Sequence, residues 1–114
     1  MAAGFSISMG SPRDGSRVVR VVGELDYPAS CELDRFLARL VGRVCVDCRG
    51  LRFIDARGLG CLIEAAGRLE YLRLLNVPAP VRRVLELTQT TWLLGSDPCQ
   101  LTMTGKEMSD AQPS

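Results

Sequence analysis

Residues 43–60, RVCVDCRGLRFIDARGLG, lead from a strand into a helix and decide the class of the fold. The segment Arg43–Cys48 is short and nearly continuously apolar, which is typical of a strand buried on both faces of a sheet. Residues 49–54 are predicted to form a loop, and a helix is predicted from about Gly58 to Leu69. The apolar face of this helix consists of Leu59, Leu62, Ile63 and Ala66. A strand followed by a helix is half of a parallel crossover unit.

Two further strands and a helix are predicted upstream. Residues 4–8 and Arg17–Gly23 have strand-like patterns, and the SPRDGS segment between them is rich in turn-forming residues. These strands are therefore predicted to pair as an N-terminal hairpin. A helix begins near Pro28, which suits a first helical turn, and Gly42 is its expected stop. The apolar face of this helix consists of Leu33, Phe36, Leu37 and Leu40.

The alternation of strand and helix continues downstream. Residues 71–76 predict a strand, and residues 81–89 predict a helix that Pro78 and Pro80 open. Strands that alternate with helices are typical of parallel pairing, and the hairpin adds an antiparallel pair. The predicted fold class is therefore α/β, with a mixed sheet of four to five strands and three helices packed on it.

The C-terminal residues are less regular. Cys99, Leu101 and Met103 alternate with polar residues, which indicates a short edge strand. Residues 105–114 are polar and aperiodic, so they are predicted to be a disordered tail. We therefore expect a single domain over residues 1–104.

The composition excludes several classes of function. The 114 residues include 14 Lys and Arg, 13 Asp and Glu and no histidine, which gives a formal net charge of +1. A near-neutral chain is not expected to take nucleic acid or an anionic membrane as its main partner. The absence of histidine removes His-based acid–base catalysis and every metal site that uses histidine. We expect no metal site and no cofactor.

The first ten residues, MAAGFSISMG, have neither the basic start nor the long apolar stretch of a signal peptide. Apolar runs elsewhere are interrupted by charge and are too short to span a bilayer. We therefore expect a cytoplasmic protein with no membrane partner, in a compartment where thiols stay reduced.

The five cysteines are more simply explained by packing than by a disulfide framework. Cys45 and Cys48 have the spacing of a redox motif, but both lie on a predicted strand, where positions three apart face opposite sides. Core packing is therefore the favoured role of this pair. Cys31 and Cys61 lie early in their helices and are expected to be partly exposed. These two residues and Cys99 remain candidates for redox control.

Three blocks of the sequence resemble one family. Residues 22–26, VGELD, are similar to the GELD signature of anti-sigma factor antagonists, which have a STAS domain. Residues 44–60 resemble that family's strand, loop and helix start, which ends in Phe-Ile-Asp, two small hydroxyl residues and Gly-Leu-Gly. Residues 72–76 and 81–88, LRLLN and VRRVLELT, are similar to a later segment of the same family. The blocks follow the family's order over about residues 17–94.

The resemblance implies a binding protein and not an enzyme. Members of the family capture an anti-sigma factor that has a kinase fold, and so release a sigma factor. The kinase-fold partner typically phosphorylates a Ser or Thr at the start of the second helix, and the phosphate breaks the complex. The partner-binding positions carried over to this chain are Asp26, Asp55, Ala56, Arg57, Gly58, Leu59 and Gly60.

Arg57 stands at the phosphoacceptor position, where the resemblance implies a hydroxyl. A cation at a helix N-terminus is unfavourable by about 0.3–1 kcal/mol. Asp26 and Asp55 are expected to make loop hydrogen bonds and cap helices, which we favour over a carboxylate pair for acid–base chemistry or a metal. Both are also expected to pair with Arg57. The prediction is an antagonist that phosphorylation does not control. The alternative is that the chain is a paralogue that its kinase partner no longer controls, in which Arg57 arose by sequence drift.

Two other functions are compatible with the sequence. The domain could be a structural or sensory scaffold that assembles with itself or with relatives. It could instead be a thiol-dependent redox protein built on Cys45 and Cys48, which their predicted place on a strand disfavours. The family's amphipathic C-terminal helix is not recognised in this chain, and its loss would expose apolar surface and favour a homodimer. The sequence does not identify the anti-sigma and sigma factor pair.

Overall fold

The computed structural model describes residues 4–12 and 15–95, and within them the chain forms four strands and three α-helices. The strands are β1 (Phe5–Met9), β2 (Arg17–Leu25), β3 (Arg43–Ile54) and β4 (Tyr71–Leu75). The helices are α1 (Tyr27–Leu37), α2 (Ala56–Arg68) and α3 (Ala79–Leu87), followed by a short 3-10 helix at Thr91–Leu93. The predicted α/β class with three helices is confirmed. The predicted edge strand at residues 99–103 and the predicted tail lie outside the described residues.

The four strands form one mixed sheet with the order β1-β2-β3-β4. β1 pairs antiparallel with β2, which confirms the N-terminal hairpin, whereas β2, β3 and β4 run parallel. α1 and α2 are the crossover helices between the parallel strands. Leu25 at the end of β2 pairs with Ile54 at the end of β3. The starts of α1 and α2 therefore lie side by side at one edge of the sheet.

β3 continues through the residues that were predicted to form a loop. Residues 49–54 belong to this 12-residue strand and pair with the second half of β2 after a shift in register. Gly50 permits the close pairing, because a Cβ at this position would lie 2.9 Å from the side chain of Val22. Leu51 and Ile54 are buried. Pairing with β2 thus decides a conformation that the local composition does not indicate.

The three helices pack on one face of the sheet and share one hydrophobic core with it among the described residues. In β2, Val19, Val21 and Leu25 point into this core, whereas Arg20 and Val22 between them are exposed. The fully buried leucines are Leu25, Leu33, Leu37, Leu51, Leu62, Leu72, Leu74, Leu85 and Leu93. Each buried leucine contributes about 1.5–3 kcal/mol relative to an exposed one, so this core holds the helices on the sheet.

Asp47 is a buried carboxylate that links β2 and β3 to Asn76, the residue after β4. It accepts hydrogen bonds from the Arg49 amide and the Asn76 side chain, both at 3.1 Å, and lies 3.7 Å from the Arg20 guanidinium. Burial alone would raise the pKa of Asp47. The hydrogen bonds and the positive charges of Arg49 and Arg20 outweigh burial, so the pKa lies below its ordinary value.

The helix ends differ from their predicted positions by a few residues. α1 ends at Leu37, and the predicted stop, Gly42, instead adopts a φ of +84° just before β3. The Arg68 guanidinium donates to the carbonyls of Leu37 at 2.7 Å and Leu40 at 3.3 Å, which satisfies acceptors at the end of α1. α2 begins at Ala56, two residues earlier than predicted. None of the described helices has the length and apolar character needed to cross a membrane.

Candidate functional site

The starts of α1 and α2 are capped in the same way. Asp26 Oδ1 accepts the amide hydrogen of Ala29 at 3.2 Å, and Asp55 Oδ1 accepts that of Gly58 at 2.9 Å. Each aspartate satisfies an amide that has no partner inside its helix. The amide of Asp55 also donates to the Leu25 carbonyl at 3.2 Å, which ties the start of α2 to the end of β2. The predicted capping role of both aspartates is confirmed.

Arg57 bridges the two helix starts through an aromatic contact. Its guanidinium carbon lies 4.5 Å from the centroid of the Tyr27 ring. The predicted ion pairs with Asp26 and Asp55 were wrong for the described part of the chain, because each carboxylate caps its own helix and Arg57 turns to the ring instead. Such a cation–π contact contributes about 0.5–1 kcal/mol at an exposed site. The contact favours one position of the arginine on the surface.

The positions predicted to bind a partner fall into two groups. The first is accessible to solvent, with Ala56 and Arg57 exposed and Asp26, Asp55 and Gly60 half-buried. The second is buried and comprises Gly58 and Leu59. A Cβ at position 58 would lie 2.5 Å from the Leu25 carbonyl oxygen, so this glycine allows α2 to start directly against β2. Gly58 and Leu59 thus position the helix, and the first group is what a partner can touch.

The first turn of α2 carries no hydroxyl side chain, since Ala56, Arg57 and Gly58 occupy it. Ser30 of α1 lies across from this turn, in the groove between the helices, but it is only 7% exposed. Its hydroxyl donates to the Tyr27 carbonyl at 2.7 Å. Ser30 is therefore a poor substitute for the phosphoacceptor that the resemblance implies at position 57.

A groove of about 310 Å³ runs between α1 and α2. Ala56 at the start of α2 lines the groove, and four further residues of each helix have the spacing i, i+3, i+4 and i+7, which places them on one helical face. From α1 these are Tyr27, Ser30, Cys31 and Asp34, and from α2 they are Arg57, Gly60, Cys61 and Glu64. Sequence reasoning missed Asp34 and Glu64, although the matching spacing in the two helices was a signal that could have found them.

The thiols differ strongly in their surroundings. Burial raises the pKa of Cys48 to about 12. Burial, followed by the negative charges of Asp34 and Glu64, raises the pKa of Cys61 to about 11. The expectation that Cys61 is partly exposed was wrong, because it faces the core from α2 and is 7% exposed. Cys31 is exposed, as expected.

The other two cysteines complete this picture. Cys45 is half-buried on the sheet face opposite to that of Cys48, as the strand spacing predicts. Cys99 lies outside the described residues. Within residues 4–12 and 15–95, no three Cys, Asp or Glu side chains come together in a way that could hold a metal ion.

Comparisons with known proteins identify a family and a fold. The sequence model of the family described as "Mlab, STAS domain" matches residues 10–95. An anti-sigma factor antagonist from Mycobacterium paratuberculosis has a similar structure, with a TM-score of 0.70 and 23% identity over 86% of this chain and 93% of that chain. The anti-sigma factor antagonist SpoIIAA in its unphosphorylated form has a TM-score of 0.64 and 18% identity over 90% and 96% of the two chains. The Bacillus cell fate determinant SpoIIAA in its phosphorylated form has a TM-score of 0.62 and 17% identity over 87% of this chain and 99% of that chain.

A search of curated proteins gives no match to this sequence. The three solved structures named above are 17–23% identical to it, so they establish a shared fold. The family match establishes more than the fold, because it spans residues 10–95 and includes the blocks at residues 22–26 and 44–60. The chain belongs to the STAS domain family.

Proposed function

We propose that this STAS domain is an anti-sigma factor antagonist that works without control by serine phosphorylation. It binds a kinase-fold anti-sigma factor in the cytoplasm and so releases a sigma factor for transcription. The family, the likeness in fold to known antagonists and the resemblance at residues 22–26 and 44–60 support this role. The observation that carries the proposal is Arg57, exposed at the start of α2 and held against Tyr27.

The proposed contact area, here called the antagonist surface, is the solvent-accessible part of the two helix starts. It consists of Asp26, Tyr27, Asp55, Ala56, Arg57 and Gly60. Tyr27 is 53% exposed, and Tyr and Arg are among the residue types that contribute most to protein interfaces. The contact of Arg57 with Tyr27 restrains the arginine before a partner arrives, which reduces the entropy lost on binding.

Arg57 changes the chemistry that a kinase would meet at this position. A phosphoserine would carry about two negative charges, whereas arginine carries one positive charge and has no hydroxyl to accept a phosphoryl group from a Ser/Thr kinase. The hydroxyls of Ser30 and Thr88 are already engaged, donating to the carbonyls of Tyr27 at 2.7 Å and Val84 at 2.8 Å. We therefore expect the complex with the kinase-fold partner to survive incubation with ATP.

The experiment uses the kinase-fold anti-sigma factors and their sigma factors from the source genome. A fluorescently labelled sigma factor bound to its anti-sigma factor is titrated with the full chain, in the presence and absence of Mg-ATP. We expect displacement of the sigma factor with the same midpoint in both conditions and no mass increase of the chain. A chain that displaces none of the sigma factors contradicts the proposed function, and a stoichiometric phosphate on Ser30 or Thr88 contradicts phosphorylation-independent binding.

Self-assembly is a second candidate function, favoured by one observation. Val22 and Phe53 lie on the sheet face that no described helix covers and are 44% and 48% exposed. Exposed apolar side chains on adjacent strands are a feature of contacts between copies or relatives. Native mass spectrometry separates the two functions. A monomer or small dimer supports the antagonist, and a large assembly supports the scaffold.

A further inference from the structure

The groove between α1 and α2 begins within the antagonist surface and runs about two helical turns along the helices from Tyr27 and Arg57. Arg57 and Tyr27 are in contact at its first end. Asp34 and Glu64 each lie seven residues further along their own helices, which corresponds to about 10 Å. Since α1 and α2 both follow parallel strands of one sheet, the two helices run in the same direction. The groove therefore has an arginine at one end and two carboxylates at the other.

The floor of the groove is made of small side chains. Ser30 and Cys61 are both 7% exposed, and Gly60 lies between the helices with no heavy atom within 4 Å of where its Cβ would be. Position 60 is therefore open space that a side chain from outside can enter. Cys61 packs against the core and also lines this space, and its thiol has no hydrogen-bond partner among the described residues.

The far end of the groove carries two carboxylates without an ion-pair partner, and the nearest guanidinium shown there, that of Arg68, is bound to the carbonyls of Leu37 and Leu40 about one helical turn further along. The described residues provide no cation within ion-pair distance of Asp34 or Glu64. Both carboxylates act on the same point of the floor, since the negative charges of both contribute to the raised pKa of the Cys61 thiol. The groove has small side chains on its floor and two carboxylates at one end, and this shape and charge suit a long basic side chain. The aliphatic part of such a side chain would lie along the floor and its cation would lie at the carboxylates.

We infer that this groove receives an arginine or lysine side chain of the partner protein, with its cation held between Asp34 and Glu64. The inference rests on the proposed function for the identity of the partner, the kinase-fold anti-sigma factor. It extends the contact from the helix starts, where the cation of Arg57 lies on Tyr27, to a second point of opposite charge. Two charge contacts of opposite sign about 10 Å apart fix the orientation of a partner as well as its affinity.

The first test fills the groove without altering the charges. Gly60→Leu places a side chain in the open space, and Gly67→Leu is the matched control, because Gly67 also lies in α2 with no heavy atom within 4 Å of its Cβ position and does not line the groove. We expect Gly60→Leu to weaken binding of the kinase-fold partner at least about tenfold and Gly67→Leu to leave it unchanged. Equal affinities of the two variants would overturn the inference.

The second test neutralises the charges without changing shape. The double variant Asp34→Asn with Glu64→Gln is expected to weaken partner binding on the order of tenfold and to flatten its salt dependence. Far-UV circular dichroism of each variant checks that the fold is retained. Unchanged affinity in the double variant would contradict the assignment of a cationic group. Self-association of the parent that Gly60→Leu abolishes would also overturn it, because the occupant would then be a second copy.

The third test separates this inference from the proposed function. n-Butylguanidinium is titrated into the 15N-labelled parent, with n-pentanoate as an anion of similar length. We expect n-butylguanidinium, but not n-pentanoate, to shift the NMR signal of the Gly60 amide in a saturable way and to change that of Gly67 little. The double variant should lose this response. If no anti-sigma factor binds the parent, the proposed function fails, and this titration alone then shows whether the groove binds a guanidinium group. A Gly60 amide that does not respond, or responds equally to both probes, overturns the inference.

Discussion

Two glycines of α2, two residues apart, are expected to respond in opposite directions to the same substitution. At Gly58 a Cβ would lie 2.5 Å from the Leu25 carbonyl oxygen and 2.6 Å from the Leu25 Cγ. That carbonyl is fixed, because it accepts the Asp55 amide at 3.2 Å. Overpacking costs about 1–3 kcal/mol, and contact with a fixed backbone atom belongs in the upper part of that range, about 2–3 kcal/mol, against a gain of about 0.8–1 kcal/mol from replacing a helical glycine by alanine. We expect Gly58→Ala to lower the free energy of unfolding by about 1–2 kcal/mol.

Gly60→Ala is the matched control for this substitution. Its Cβ would meet no heavy atom within 4 Å, so only the helix propensity changes, and we expect a gain of about 0.5–1 kcal/mol. The measurement is urea unfolding followed by far-UV circular dichroism and by the fluorescence of Trp92, the only tryptophan. The predicted difference between the variants, about 2 kcal/mol, corresponds to roughly 8 °C or more in Tm. A Gly58→Ala variant as stable as the parent would refute the packing argument for the start of α2.

Three further outcomes are expected. Asp55→Ala removes the cap of α2 and should lower the free energy of unfolding, measured by urea unfolding, by about 0.5–2 kcal/mol. An unchanged free energy of unfolding would show that the cap does not stabilise the fold. Because the pKa of Asp47 is lowered in the fold, its contribution to stability is present above the unfolded value near 3.8 and is lost as pH falls through the folded value. Asp47→Asn should therefore flatten the acid limb of a stability–pH curve, and an unchanged limb would count against this role. Iodoacetamide at pH 8 should label Cys31 well before Cys48 and Cys61 in the native protein, as read by peptide mass mapping, and prior labelling of Cys61 would contradict its burial.

The sequence was sufficient for features that depend on local pattern. Apolar spacing located all three helices, and the valine-rich Arg17–Gly23 segment located the centre of β2. Capping by Asp26 and Asp55 followed from residue type and position alone. These features were predictable because each depends on residues within about one helical turn of one another.

Features that depend on distant residues were not predictable in the same way. Residues 49–54 form a strand because β2 lies beside them, and neither glycine nor arginine in that segment indicates pairing. Arg57 lies on Tyr27, thirty positions earlier in the chain, because the sheet brings the starts of α1 and α2 together. The nearby carboxylates suggested ion pairs, but backbone amides at the helix starts compete for them more effectively.

The central claim is that Arg57 frees this antagonist from phosphorylation, and Arg57→Ser tests it most directly. The variant restores a hydroxyl at the start of α2 while leaving the Asp55 cap in place. The affinity of parent and variant for the kinase-fold anti-sigma factor is measured with and without Mg-ATP, together with the intact mass. We predict that ATP adds one phosphate to Arg57→Ser and weakens its binding at least about tenfold, while the parent is unchanged. Phosphorylation of the parent, or a parent whose affinity falls with ATP as that of the variant does, would contradict the account.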